Sequence, residues 1–211
     1  MKFRTGLPQL PKSKPPRTRR RRTAGLLQGA IFEAVPGWVL AVDGARTSGW
    51  AVYERGALRG SGVCDRDSDE VIRACLLALG GPSATPLRRM ATVMVIEKPY
   101  ASGHASAYVG LGAAIGIWGR EFRRAGGGAE REVRVSPNDW RSAVLGRMRL
   151  KREQWKALAV QRVRSLYPGI SDDDQAEAIL IGHWASHSAR VLAKLPKTVR
   201  MRAERDQESR R

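Results

Sequence analysis

Cysteine is nearly absent. Only Cys64 and Cys75 occur in 211 residues, and no His/Cys cluster surrounds them, so neither a disulfide framework nor a zinc site can be built. Both thiols are expected to fill a core. Long apolar runs are missing too: no stretch of about 18 uncharged apolar residues occurs, which excludes a membrane-spanning helix. The first residues are basic but run into no apolar segment with a small-residue cleavage site. No secretory signal is therefore expected, and the protein is expected to stay inside a cell.

Acid is lacking from residues 1–25, which carry nine cations (Lys2, Arg4, Lys12, Lys14, Arg17 and Arg19 through Arg22) along with Pro8, Pro11, Pro15 and Pro16. Such a stretch cannot bury enough apolar surface to order itself, and a disordered basic arm is expected. Residues 194–211, with seven cations and three acids, read as a disordered charged tail. Residues 26–193 hold 22 cations and 17 acids, so most of the formal net charge of +18 lies in the ends. With 42% of the chain hydrophobic, this middle part suits one domain of ordinary size with its own core. A basic arm on a modestly basic domain suits a polyanion, because each phosphate neutralised releases counterions and adds sequence-independent affinity. Nucleic acid is the leading partner, with Arg-rich composition bias and an import signal as the alternatives. A membrane-surface role fits poorly, since the arm has no aromatic or Leu-rich face.

Along the middle, Gly37–Asp43, Gly49–Tyr53 and Leu58–Val63 are short β-rich runs separated by Gly-bearing turns, which predicts an antiparallel meander. Asp69–Leu79 has helical spacing through Val71, Ile72, Cys75, Leu76 and Leu79 and stops at Gly80-Gly81-Pro82. Ala91–Glu97 is a continuous apolar run closed by Pro99, as in a central strand. A Gly/Ala-rich helix over Ser102–Arg124 ends at Gly126-Gly127-Gly128. A short strand (Glu132–Val135), a short helix (Pro137–Leu145) and an amphipathic helix (Lys151–Tyr167, with Trp155, Leu158, Ala159, Val163 and Leu166 inward) follow. A last helix runs from about Asp172 into the 190s. No repeat is present, and the order predicts an α/β fold with a mixed sheet. The six tryptophans are expected mainly in the core.

Three places carry acids in unusual settings. Asp43 ends the first apolar run, Glu97 ends the central strand, and Asp172-Asp173-Asp174 with Glu177 opens the last helix. A carboxylate at the end of a buried strand is costly to desolvate without a cation. Several together invite a metal. On the helix, Asp174 and Glu177 are i,i+3 and Asp173 and Glu177 are i,i+4, so either pair can reach a common point. An ordinary explanation competes there: Ser171 can cap the helix with Asp174 closing a capping box, and first-turn acids suit the macrodipole. For Asp172 and Asp173 that reading is preferred. Asp43 and Glu97 have no such explanation.

The motifs AVDGARTSGWAVYERG (41–56), VMVIEKPYA (93–101), VSPNDWRSAVLG with LKREQW (135–155) and DQAEAILIGHW (174–184) resemble, in order and spacing, those of RuvC-like Holliday-junction resolvases in the RNase H-like superfamily. The resemblance spans about residues 38–190. It implies an RNase H-like mixed five-stranded sheet flanked by helices and a metal-dependent endonuclease that resolves four-way DNA junctions by paired cleavage, leaving 5′-phosphate and 3′-hydroxyl ends. Asp43, Glu97, Asp174 and Glu177 become the candidate ligands of two Mg²⁺ ions, with Mn²⁺ able to substitute. Such ions activate a water and stabilise the leaving 3′ oxygen. Glu177 stands where the family generally has Asp, and the following Ala and apolar residues favour Asp174 over Asp173 in the register.

By the same resemblance Lys151 lies beside the scissile phosphate, the alternative being a solvated lysine at a helix start. Tyr100 matches an aromatic near the exchange point, where stacking on an unpaired base contributes about 1–3 kcal/mol. Thr47, Ser48, Arg147, Arg149 and Arg152 are further candidate DNA contacts. His104, His183 and His187 are expected as ordinary packed residues. Cleavage of two symmetric strands implies a homodimer, with the Gly/Ala-rich helix suited to close approach. No membrane or small-molecule cofactor is implied. The expected setting is the nucleoid of a bacterial cytoplasm, or an infected host cell if a virus encodes the chain, with an organelle or nucleus left open. Two alternatives remain: an RNase H-like nuclease for other branched DNA or RNA, and a non-catalytic basic nucleic-acid-binding protein whose acids only cap and pair.

Overall fold

A computed structural model describes residues 37–45, 47–98 and 105–208. The basic arm at 1–25 and Tyr100 lie outside the described residues. Three strands come first: β1 (Trp38–Asp43), β2 (Thr47–Glu54) and β3 (Ala57–Asp65). The β2–β3 turn is Arg55-Gly56, both at positive φ (49° and 82°), as a two-residue hairpin turn demands. Helix α1 (Asp69–Leu79) is closed by left-handed Gly80, and short α2 (Pro86–Met90) is capped by Thr85. Then follow β4 (Thr92–Glu97), α3 (Ala105–Arg124), β5 (Glu132–Val135), α4 (Pro137–Val144), α5 (Arg152–Arg164), α6 (Asp173–Ser186), α7 (Ala189–Leu192) and α8 (Lys197–Glu208).

The five strands form one mixed sheet in the order β3-β2-β1-β4-β5. The β3–β2 and β2–β1 pairs are antiparallel, and β1–β4 and β4–β5 are parallel. Val42 lies opposite Ile96, so Asp43 and Glu97, each one residue further on, end adjacent strands at one level.

Strand alternation divides the core in two. Val39, Ala41, Val93 and Val95 face one side, where Trp140, Ala159, Ile179, Val191 and other residues of α4 through α8 cover them. Leu40, Val42, Met94 and Ile96 face the other, under Val71 and Cys75 of α1 and Trp118 and Phe122 of α3. Asp43 and Glu97 have the parity of the first set, so both carboxylates belong to the α6 side.

Helix α6 lies directly on β1 and β2. Its Gly182 sits over Tyr53 and Ala41, where a Cβ would meet the Tyr53 ring, and Tyr53 Oη donates to Ile179 O at 2.9 Å. At the helix start, Gly49 lies beneath Asp174: a Cβ at residue 49 would collide with the Asp174 carbonyl. Gly49 is also the register partner of Asp43.

Several sequence expectations shift. The buried stripe of α1 is Val71, Ala74, Cys75, Ala78 and Leu79, whereas Ile72, one residue off that stripe, is exposed. Leu166 is exposed too, because α5 ends at Arg164 and helical spacing no longer governs it. The last long helix stops at Ser186, and two shorter ones follow. Leu195 and Val199, an i,i+4 apolar pair set among cations, are buried in the core, so folded structure continues past residue 193. The segment expected as a disordered charged tail is helical over Lys197–Glu208. Cys64 and Cys75 are buried and unpaired. Among the described residues no helix is long and apolar enough to cross a membrane.

Candidate active site

Asp43 and Glu97 approach from the sheet, and Asp174 and Glu177 from the first turns of α6. One oxygen of each of Asp43, Asp174 and Glu177 lies within 4.8 Å of the others. Glu97 stands on the wall of the same crevice, of about 430 Å³, which Lys98, Asn138 and Arg152 also line.

Helix α4 holds Glu97 in place. Pro137 and the Asp139 carboxylate, which accepts from Ser136 N at 3.2 Å, fix the start of α4, and its fully buried Trp140 donates Nε1–H to Glu97 Oε2 at 2.5 Å. The next residue, Arg141, places Nη2 2.8 Å from Glu177 Oε1 and 3.9 Å from Glu97 Oε1. Its guanidinium lies 5.0 Å from the Trp140 ring centroid. Helix α5 supplies a second cation: Lys156 Nζ is 2.8 Å from Asp174 Oδ1 and 2.6 Å from Asp173 Oδ2.

The electrostatics follow from crowding acids in a water-poor place. Burial first, and then the charges of Glu97, Glu177 and Asp174, push the Asp43 carboxyl well above its ordinary range, with Lys156 opposing. Burial also raises Glu97, against the pull of Arg141 and the Trp140 hydrogen bond. Glu177 is raised by burial as well, with Arg141 and Lys156 opposing. Such a cluster favours any added positive charge. Its donors are all carboxylate oxygens converging on a crevice open to solvent, the donor set that hard divalent cations take; the residues therefore fit a divalent metal.

The three consecutive aspartates separate by role. Asp172 is the N-cap, accepting from Gln175 N at 2.9 Å, so Asp172 and not Ser171 caps α6. Asp173 turns to Lys156, and Asp174 enters the cluster. His183 lies 4.9 Å from His187, ring to ring; burial, then His187 and Arg162, lower its pKa to about 4.

The remaining candidates scatter. Ser48 is buried, and its hydroxyl donates to Ala45 O at 2.9 Å, so it shapes the β1–β2 loop. Thr47 is exposed at the start of β2. Lys151 is the exposed N-cap of α5 and does not line the carboxylate crevice, although Leu150 and Arg152 on either side of it do. Lys156, four residues after Arg152 on the same face, reaches the acids. Arg147 and Arg149 line an adjoining crevice of about 400 Å³ that shares Asn138, Arg141 and Trp155 with the first. Arg141 and Lys156 were not singled out in the sequence. The signals available were the position of Arg141 beside a buried tryptophan and the i,i+4 relation of Lys156 to Arg152.

No family model and no curated protein matches the chain. Solved structures do. RuvC of T. thermophilus in complex with a Holliday junction substrate is similar at a TM-score of 0.52 and 14% identity, covering 73% of this chain and 95% of that one. A second Thermus thermophilus RuvC structure is similar at a TM-score of 0.50 and 17% identity, covering 72% and 95%. The likeness establishes the fold: an α/β, RNase H-like mixed five-stranded sheet flanked by helices, as the sequence resemblance implied.

Proposed function

We propose that this chain is a divalent-metal-dependent, structure-selective endodeoxyribonuclease that resolves four-way DNA junctions. The observation that carries the reading is the convergence of Asp43, Asp174 and Glu177 within 4.8 Å, with Glu97 on the same wall, at the strand ends of a RuvC-like sheet.

Asp43, Glu97, Asp174 and Glu177 would hold Mg²⁺, or Mn²⁺ in its place. When bound, such ions supply activation of a water and neutralisation of charge on the leaving oxygen. The chain's own residues prepare that step. Trp140 fixes one oxygen of Glu97, and Arg141 ties Glu97 to Glu177, so the carboxylates are oriented before substrate arrives. Arg152 in the carboxylate crevice and Arg147 and Arg149 in the adjoining one would offer cations to the phosphates of the strand being cut. Paired cleavage needs two active sites related by a two-fold axis. Helix α3 suits that assembly, since Val109, Gly112, Ala113 and Gly116 form an exposed stripe of small and apolar residues, and a Cβ at Gly112 or Gly116 would meet nothing within 4 Å.

A second reading has its own support. Arg141 and Lys156 already pair with the acids, as they would in a protein that only binds nucleic acid. The deciding experiment incubates the protein with a four-way junction, a linear duplex, a flap and an RNA–DNA hybrid, with and without Mg²⁺. Paired, Mg²⁺-dependent nicks in the junction, with 5′-phosphate and 3′-hydroxyl ends, are expected. Binding without cleavage would establish the second reading, and preferential cleavage of the flap or the hybrid would redirect the substrate assignment.

A further inference from the structure

The carboxylate cluster and its two cations are arranged unequally. Arg141 contacts Glu177 and Glu97, both on the crevice wall. Lys156 bridges one acid of the Asp43 cluster, Asp174, and one outside it, Asp173. The Lys156 side chain is 23% exposed and that of Asp174 18%, while that of Asp173 is 40% exposed. On its outer side Lys156 lines a groove of about 610 Å³ together with Asp173, Val160 and Arg164. The ammonium is therefore shared between one partner in the cluster and one at the solvent edge, with an open groove on its outer side.

We infer that Lys156 is an exchangeable counter-cation, which neutralises Asp174 while no metal is bound and withdraws to Asp173 when a divalent cation takes Asp174. This inference rests on the metal-binding part of the proposed function and deepens it. The physical argument is competition for one carboxylate. An ammonium 2.8 Å from Asp174 Oδ1 repels a divalent ion on the same group, so the two cannot both be held well. Whatever the pair contributes to the metal-free fold is lost from metal affinity. Asp173 lowers the cost of release, because the ammonium leaves one charge-assisted hydrogen bond and keeps another. The acid directly before the cluster thus has a task beyond that of a first-turn residue: it receives the displaced cation.

The test is calorimetric titration of the full chain with Mn²⁺ alone, without DNA, paired with melting temperatures of the metal-free proteins. Lys156→Met is expected to bind Mn²⁺ about ten-fold more tightly, the factor gained when a competing state that holds roughly nine-tenths of the site is removed, and to melt lower than wild type without metal. Asp173→Asn is expected to weaken Mn²⁺ binding in the wild-type background and to have little effect in the Lys156→Met background, since Asp173 acts through the lysine. That non-additivity separates the exchange from plain charge effects, which would lower affinity equally in both backgrounds. Unchanged or weaker Mn²⁺ binding by Lys156→Met, or an Asp173→Asn effect of the same size in both backgrounds, would overturn the inference. A wild-type protein that binds no Mn²⁺ would overturn the metal-site reading itself.

Discussion

The two faces of the sheet are built by the same alternation and put to different uses. On the α1/α3 face the inward residues of β1 and β4 are apolar apart from Thr92, whose hydroxyl donates to Ala78 O, two thiols are sealed away, and neither β1 nor β4 ends on a carboxylate toward it. On the α6 face the same apolar rhythm runs out into acids, since Val39-x-Ala41-x-Asp43 and Val93-x-Val95-x-Glu97 both end on charge. Burial that stabilises one face raises the proton affinity of groups on the other. The difference lies in the last residues of β1 and β4 and in what covers them: α1 and α3 bring mainly aliphatic and aromatic groups, with the buried Glu121 paired to Arg120, while α4, α5 and α6 bring Arg141, Lys156 and two more carboxylates.

The largest break in this comparison is expected from Asp43→Asn. Removing one buried, mutually repelling charge should leave the melting temperature equal or higher while junction cleavage falls by about 100- to 1,000-fold, the scale of losing one preorganised electrostatic group; a cleavage assay on the folded variant with thermal melting checks both. Loss of stability with cleavage intact would show that Asp43 belongs to the packing of the sheet.

Gly182→Ala and Gly116→Ala make the same chemical change on opposite faces. At residue 182 the new methyl meets the Tyr53 ring and overpacking should cost about 1–3 kcal/mol. At residue 116 it meets nothing within 4 Å, and the gain in helix propensity should contribute about 0.5–1 kcal/mol. Denaturant melts of dilute protein read both signs, and sedimentation at higher concentration should show weaker self-association of the Gly116 variant if α3 is the dimer face.

The smallest expected effect is pH-dependent. Burial lowers His183 to about 4, below the ordinary value near 6.5, so the unfolded chain takes up this proton first as pH falls. The contribution of the neutral ring is complete above about 6.5 and is lost as pH drops from there to about 4. With this half-buried ring partly screened, about 0.5 kcal/mol is at stake. His183→Gln should flatten the fall in melting temperature across that window, and an unchanged slope would assign the acid sensitivity elsewhere.

Much of this was legible in the sequence where the information is local. The turn glycines, the apolar runs and the stop at Gly80 mark β1 through α1 to within about two residues, and parity along VLAVD and VMVIE is enough to put Asp43 and Glu97 on one face. What was not legible depends on distant packing. Lys156 meets Asp174 across 18 residues and Arg141 meets Glu177 across 36, pairings fixed by how α4 and α5 lie on α6. Ser48 looks like a loop hydroxyl until the β1–β2 turn folds over it. Leu195 and Val199 were hidden by the charges around them, although two apolar residues one helical turn apart can anchor a segment.

Gly49 gives the site a dimension that no ligand residue controls. The start of α6 rests on β2 where a side-chain atom is missing, directly across the strand pair from Asp43. The gap between the sheet acid and the helix acid is therefore gauged by a spacer of zero thickness. A single added carbon would act as a shim, lifting the helix start and widening the opening between Asp43 and Asp174 with every acid still in the chain. Position 49 sets the spacing of the cluster, and a change there would move the sheet and helix carboxylates apart without removing any of them.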